Sequence, residues 1–214
     1  VAAKANGKAT DVLEPTSDDG NDIISLTEPV IVDFTLTGVC PMLFHRWSVE
    51  SVAEKSAAAK GSAAKKTDDV QSYVWRNSNN QLCLPGEYVR QVMVNSAKFR
   101  PDPRSPRASM AQLMKAAIVP LTDLAPLNGG VTDWDFMDQR RVMVQRNGVT
   151  RSRPAFNEGW TASFQFMINL PEYVSPTVFQ QVLENGGRVV GIADFRPTYG
   201  RFLVTNFAQT RFEA

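Results

Sequence analysis

Hydrophobic and polar residues alternate most cleanly from Trp160 to Leu170. Trp160, Ala162, Phe164, Phe166, Ile168 and Leu170 are interleaved with Thr161, Ser163, Gln165, Met167 and Asn169. A period of two turns the first set to a core and the second to a polar face, which predicts a half-buried strand. The stretch from Pro29 to Leu43 repeats the pattern, with Val30, Val32, Phe34 and Leu36 set against Ile31, Asp33, Thr35 and Thr37, until Gly38 and Cys40-Pro41 interrupt it. A closing strand is expected from Arg201 to Phe212, with Phe202, Val204 and Asn206 on one side and Leu203, Thr205 and Phe207 on the other. Ala117 to Leu121 reads as a short buried strand.

The helical period appears in three places. Ser175 is a good N-cap, Pro176 suits the first helical position, and Val178, Val182 and Leu183 form a stripe that Gly186 and Gly187 are expected to end. Pro85-Gly86-Glu87 opens a helix to about Lys98, with Val89, Val92, Met93, Ser96 and Ala97 on one face. Ser105-Pro106 is a second cap-and-proline start, leading to Met110, Leu113 and Met114, after a proline-arginine linker that begins at Arg100. Two hairpins complete the reading. One spans Val70 to Leu84 around the polar turn Asn77–Asn80. The other spans Arg140 to Arg153, with Asn147-Gly148 as a type I′ turn.

Composition adds limits. The chain has 214 residues, 43% hydrophobic and 21% charged, which suits a folded chain with a disordered end. Residues 1–27 lack any periodicity and are expected to be a flexible N-terminal arm. Residues 28–214 are expected to form one domain, with an alanine- and lysine-rich insertion at about 51–69, either a solvated helix or a mobile flap. Net charge is +1, so any anion site must come from local clustering. Cys40 and Cys83 match no zinc spacing and suggest a reducing compartment. No apolar run is long enough to span a membrane and no signal-peptide layout is present, so a cytoplasmic location is expected.

The clustering is easy to find. Arg140, Arg141, Arg146, Arg151 and Arg153 crowd one hairpin with no acid between them, and guanidinium groups at that density suit phosphate contacts. The competing reading pairs them with acids elsewhere in the fold. After Gly186, Gly187 and Gly191 come Asp194, Phe195, Arg196, Pro197, Tyr199, Gly200, Arg201 and Phe202. Glycines permit close backbone approach, and arginines beside aromatics suit phosphates and stacked bases. The plainer reading is a tight helix-to-strand connection with Arg196 paired to Asp194. His45, Arg46 and Trp47 form a smaller cluster, in which a structural histidine is the default and nucleic-acid contact from Arg46 or Trp47 the alternative. Asp133, Asp135 and Asp138 lack the ligand pattern of a metal loop and read as turn and cap residues.

The order of elements points to an α+β fold, an antiparallel sheet with helices on one face, as in ferredoxin-like and RNA-recognition folds, here with hairpin insertions. Three pieces together resemble the RAMP superfamily, most closely the repeated backbone subunit of CRISPR effector complexes. They are the strand ending at Gly38 with Pro41-Met42-Leu43 after it, Leu84-Pro85-Gly86 opening a helix, and Gly186-Gly187 and Gly191 followed by Arg196 to Phe202. The resemblance covers residues 29 to 207 and is most specific in the last third. It implies a modified RNA-recognition fold whose copies stack into a filament along a guide RNA, with other effector-complex subunits as further partners. It would place Gly186, Gly187, Arg196, Tyr199 and Arg201 near nucleic acid. Some members cut target RNA with an aspartate in the loop after the first strand. Here that loop, Gly38 to Ser48, holds none, so no nuclease activity is expected.

Other chemistry finds little support. One histidine excludes a multi-histidine metal site, and no GxSxG, CxxC or P-loop spacing occurs. No catalytic residue, metal or cofactor is assigned. The leading expectation is a non-catalytic RNA-binding subunit. The alternatives are a protein-only assembly subunit, such as a viral structural or accessory protein, and a stand-alone relative that binds RNA or inhibits a CRISPR complex.

Overall fold

A computed structural model of the protein describes residues 28–47, 53, 57, 69–144 and 147–211. The arm expected at 1–27, nearly all of the insertion at 51–69, and Arg146 lie outside these described residues.

The central sheet grows from the two clearest alternations in the chain. Strand β1 (Val30–Gly38) buries Val30, Val32, Phe34 and Leu36, and its neighbour β11 (Thr161–Ile168) buries Ala162, Phe164, Phe166 and Ile168. They run antiparallel in the register Val32↔Phe166 and Phe34↔Phe164, which stacks apolar pairs on one face. On the other face Thr35 and Ser163 share a hydrogen bond of 2.9 Å, and Gln165 Nε2 donates to Asp33 Oδ1 at 3.0 Å. Strands β12 (Phe202–Arg211) and β7 (Ile118–Pro120) form the edges, so the order is β12-β1-β11-β7, all antiparallel. Helix α1 (Gly86–Ser96) lies between β1 and β7 in the chain, and α3 (Pro176–Val189) lies between β11 and β12. This is the split strand-helix-strand arrangement of the ferredoxin-like and RNA-recognition folds, as the pattern predicts. Ser175 caps α3, accepting the Val178 N–H at 3.3 Å with Pro176 at the first position.

One apolar cluster joins the sheet to α1, α3 and the short helix α2 (Ala111–Ala117). Its centre is aromatic: the rings of Phe34, Phe166 and Phe179 lie 5.5, 5.7 and 5.8 Å apart, centroid to centroid. Cys40 and Cys83 are free and buried.

Several local expectations give way to tertiary contacts. Gly186 and Gly187 do not end α3, which runs on to Val189. They are buried where the helix meets its neighbours. A Cβ on Gly186 would stand 2.7 Å from Val92 Cγ1 of α1, and one on Gly187 would stand 2.3 Å from the Phe202 carbonyl oxygen of β12. The left-handed stop falls on Gly191, with φ of 72°. Gly187→Ala is therefore expected to destabilise the fold by about 3 kcal/mol, because the obstacle is backbone and cannot rotate away. Urea titration of the two proteins checks this, and an unchanged midpoint would count against such tight packing.

The Asn147-Gly148 turn is also misplaced. Strands β9 (Phe136–Val144) and β10 (Asn147–Phe156) pair Asn147 with Val144, so Asn147 and Gly148 already belong to β10. The register is held at the far end, where Ala155 pairs with both Phe136 and Leu43 of β2 (Met42–Leu43), and a local turn preference yields to it. Three more short strands, β3 (Trp75–Arg76), β4 (Leu82–Pro85) and β8 (Leu124–Pro126), form a separate three-stranded sheet. The expected 70–84 hairpin is thus confined to β3 and β4, behind a 3₁₀ turn at Val70–Tyr73.

Ser105-Pro106 opens no helix. Pro101–Asp102 (β5) and Ser105–Ser109 (β6) pair as strands, and Asp102 closes their turn by accepting from the Arg104 backbone N–H at 2.9 Å and its guanidinium at 3.0 and 2.7 Å. That guanidinium holds the Asp102 carboxyl below its usual range. In β12 a bulge with Asn206 at φ of 52° shifts the register and turns Phe207 inward, against Phe179 at 6.3 Å, rather than onto the face of Leu203. In the 117–121 stretch Ala117 and Ile118 are buried but Val119 and Leu121 are exposed, since β7 is an edge strand.

Candidate nucleic-acid interface

The basic hairpin and the glycine loop meet. Directly paired residues of β9 and β10 share a face, and the register sets Arg153 opposite Asp138 and Arg151 opposite Arg140. These four side chains therefore occupy one face of the hairpin, while Arg141 and Thr150 occupy the other, exposed, face.

The loop that follows α3 is held in shape by its own backbone and by the turn after β1. Ile192 N–H donates to the Gly200 carbonyl at 2.8 Å, Asp194 N–H to the Leu43 carbonyl at 2.9 Å, and Gly200 N–H to the Pro41 carbonyl at 2.9 Å. Gly200 has no room for a Cβ, which would sit 1.9 Å from the Ile192 carbonyl oxygen. Ala193 and Phe195 hold φ of 64° and 60°, a left-handed conformation that costs non-glycine residues energy and recurs at ligand sites.

Two arginines of the hairpin clasp this loop. Arg153, only 6% exposed, donates from Nε to Asp194 Oδ2 at 2.5 Å. Arg140 donates from Nε to Asp138 at 2.8 Å, and its Nη2 contacts the Tyr199 hydroxyl. The Asp138 carboxylate raises the Arg140 pKa above the ordinary arginine value, which keeps the guanidinium charged. The guanidinium carbon of Arg140 lies 4.7 Å from the Tyr199 ring centre, and those of Arg140 and Arg153 each lie 5.6 Å from that of Phe195. Phe195 and Tyr199 pack edge to face at 5.9 Å. The result is an arginine-aromatic surface on which Phe195 is exposed.

The predicted residues fare differently. The absence of local acids does not leave Arg140 and Arg153 free, because Asp138 and Asp194 pair with them. Asp194 therefore pairs with Arg153, not with its near neighbour Arg196. Arg141, Arg151, Arg196 and Arg201 form no ion pair among the described residues. Arg196 stands in the loop beside the cluster. Arg201 lines a different groove of about 740 Å³, with Arg100 and Arg188, between α3 and β12. Gly186 and Gly187 sit in the packed core of α3, and only Gly187 borders that groove. Arg46 stacks on Trp75 at 3.9 Å, and Trp47 is 71% exposed. Asp133 and Asp135 take turn roles, accepting from the Thr132 hydroxyl at 3.1 Å and from the Asn157 N–H at 2.7 Å. No cluster of His, Cys, Asp and Glu suited to a metal is present among the described residues. No described helix is long and apolar enough to cross a membrane.

Asp138 and Asp194 are the ion-pair partners of Arg140 and Arg153 that the sequence pattern misses. Asp138 was visible only as part of an acidic group, and Asp194 lies 41 residues from Arg153.

No family model and no curated protein matches the chain. Among solved structures, it is similar to a chain from the cryo-electron microscopy structure of the type III-B Cmr-beta complex bound to cognate target RNA. The TM-score is 0.54 at 10% identity, over 86% of this chain and 61% of that one. The likeness is one of fold: an antiparallel, RNA-recognition-like sheet with helices on one face.

Proposed function

We propose that the protein is a non-catalytic RNA-binding subunit of the RAMP type, which oligomerises along a guide RNA in a CRISPR-type ribonucleoprotein of the cytoplasm. The observation that carries this reading is the meeting of the arginine hairpin with the glycine loop. Arg140 and Arg153 flank Phe195 and Tyr199, while Arg151 and Arg196 have no ion-pair partner among the described residues. Arginines on a fixed scaffold hold phosphates without reading sequence, and exposed rings accept unstacked bases. The fold it shares with a chain of an RNA-bound effector complex supports the same reading. The loop from Gly38 to Ser48 lacks an aspartate, in keeping with binding without cleavage.

The test is the salt dependence of binding to a single-stranded RNA, followed by fluorescence anisotropy. Each phosphate contact contributes about 0.7 to the slope of log K against log salt on single strands. Arg151→Ala is expected to lower that slope by about 0.7 without loss of stability, since Arg151 forms no ion pair among the described residues. An unchanged slope would remove this surface from the interface. Particles that grow with RNA length and collapse on RNase digestion are expected, whereas particles that survive digestion would favour a protein-only assembly.

A further inference from the structure

A cavity of about 250 Å³ opens beside the arginine cluster, and the contacts described above leave it empty of any role. Its walls come from three elements: His45 after β2, Tyr88 and Gln91 of α1, and Ala193, Asp194 and Arg196 of the glycine loop. Ligand pockets for drug-sized molecules run from about 300 to 1,000 Å³, so this one suits a single planar ring system.

Its lining residues offer both donors and acceptors. Asp194 presents an acceptor, because Oδ2 is taken by Arg153 and Oδ1 makes no hydrogen bond among the described residues. That carboxylate is fixed from behind by a buried guanidinium and along the chain by the left-handed residues on either side of it. Arg196 presents donors, and makes no ion pair among the described residues. The Tyr88 hydroxyl accepts from Trp75 Nε1 at 3.2 Å, which leaves its own hydrogen to donate. Gln91 supplies one donor group and one acceptor.

We infer that this cavity receives one unstacked guanine of a bound RNA. Guanine offers the complementary edges: N1–H and the N2 amino group toward the Asp194 carboxylate, O6 and N7 toward the Arg196 guanidinium, and the remaining acceptor N3 toward the donors of Tyr88 and Gln91. Adenine and uracil each offer a donor beside an acceptor but not guanine's two adjacent donors beside two acceptors, and single-stranded RNA is read in this manner, through bases splayed from the stack. The inference rests on the RNA-binding reading and adds to it a position where sequence matters, on a surface otherwise indifferent to sequence.

The experiment measures binding of the full chain to uridine 12-mers carrying one central G, A or C, against the all-uridine oligomer. The single-G oligomer is expected to bind about tenfold more tightly than all-uridine, within the range that one bidentate base contact gives. Tyr88→Phe and Gln91→Ala are expected to reduce that preference severalfold while the all-uridine affinity stays unchanged. No preference for G, with all-uridine binding intact, would overturn the guanine pocket and leave the RNA-binding reading standing. So would a preference for A or C, or a G preference that both variants retain. Failure to bind any oligomer would overturn both.

Discussion

Phe179→Ala is expected to cost about 4 kcal/mol of folding stability, the usual scale for emptying a phenylalanine site in a close-packed core. Phe179 is fully buried on α3. Its ring lies 5.7 Å from Phe34 of β1, 5.8 Å from Phe166 of β11 and 6.3 Å from Phe207 of β12. One side chain thus ties the second helix of the fold to three of its four central strands. Those strands are hydrogen-bonded to one another and cannot close on the space left behind, so the cavity term adds to the lost transfer energy. Domains have about 5–15 kcal/mol in total, and for a chain of this length each kcal/mol moves Tm by about 2–4 °C. Thermal unfolding should therefore shift down by about 12 °C, and Phe179→Leu by much less. A shift of about 3 °C or smaller for the alanine variant would mean that the aromatic cluster is not the centre of the core.

Asp194→Ala should cost about 3 kcal/mol, the lower end of the range for removing one partner of a buried ion pair. The reason lies in the partner. Arg153 is 6% exposed, its Nε is bonded to Asp194, and its Nη1 is buried without a partner among the described residues. Without the carboxylate, a nearly buried guanidinium loses its ion-pair partner. Replacing both residues with apolar ones, Arg153→Met with Asp194→Ala, should recover much of the loss relative to the two single variants, since no charge is then left buried. The double-mutant cycle, measured by urea titration, reads the coupling directly. If the double variant is as unstable as the sum of the two singles, the pair is not coupled and the loop is held by its backbone contacts alone. Arg153 also packs against Phe195, and Asp194 forms part of the cavity wall.

The fold was legible where the signal was local and periodic. The alternations at 29–43 and 160–170 became the two central strands, and Ser175-Pro176 marked the start of α3 correctly. Local signals failed where a distant contact outweighed them. Gly186 and Gly187 read as a helix stop, yet they serve the approach of α3 to Val92 and Phe202. Asn147-Gly148 read as a turn, yet pairing at Ala155 set the register. Ser105-Pro106 read as a cap, yet Asp102 had already turned the chain into a strand pair. Of the site, the arginine density and the aromatic loop were visible, but their meeting was not.

The sequence by itself therefore determined the core faces of the two central strands, the starts of α1 and α3, and where positive charge accumulates. Each of these depends on neighbours within a few positions. Only the tertiary structure decided which arginines are left without an ion pair, because the carboxylates that take Arg140 and Arg153 are set by the folded chain: Asp138 by the extended strand that turns it and Arg140, two residues on, to one face, and Asp194 by a loop brought in from 41 residues away. The cavity follows the same logic, since His45, Tyr88 and Asp194 carry no common pattern in the chain and meet only when the glycine loop docks on the turn after β1.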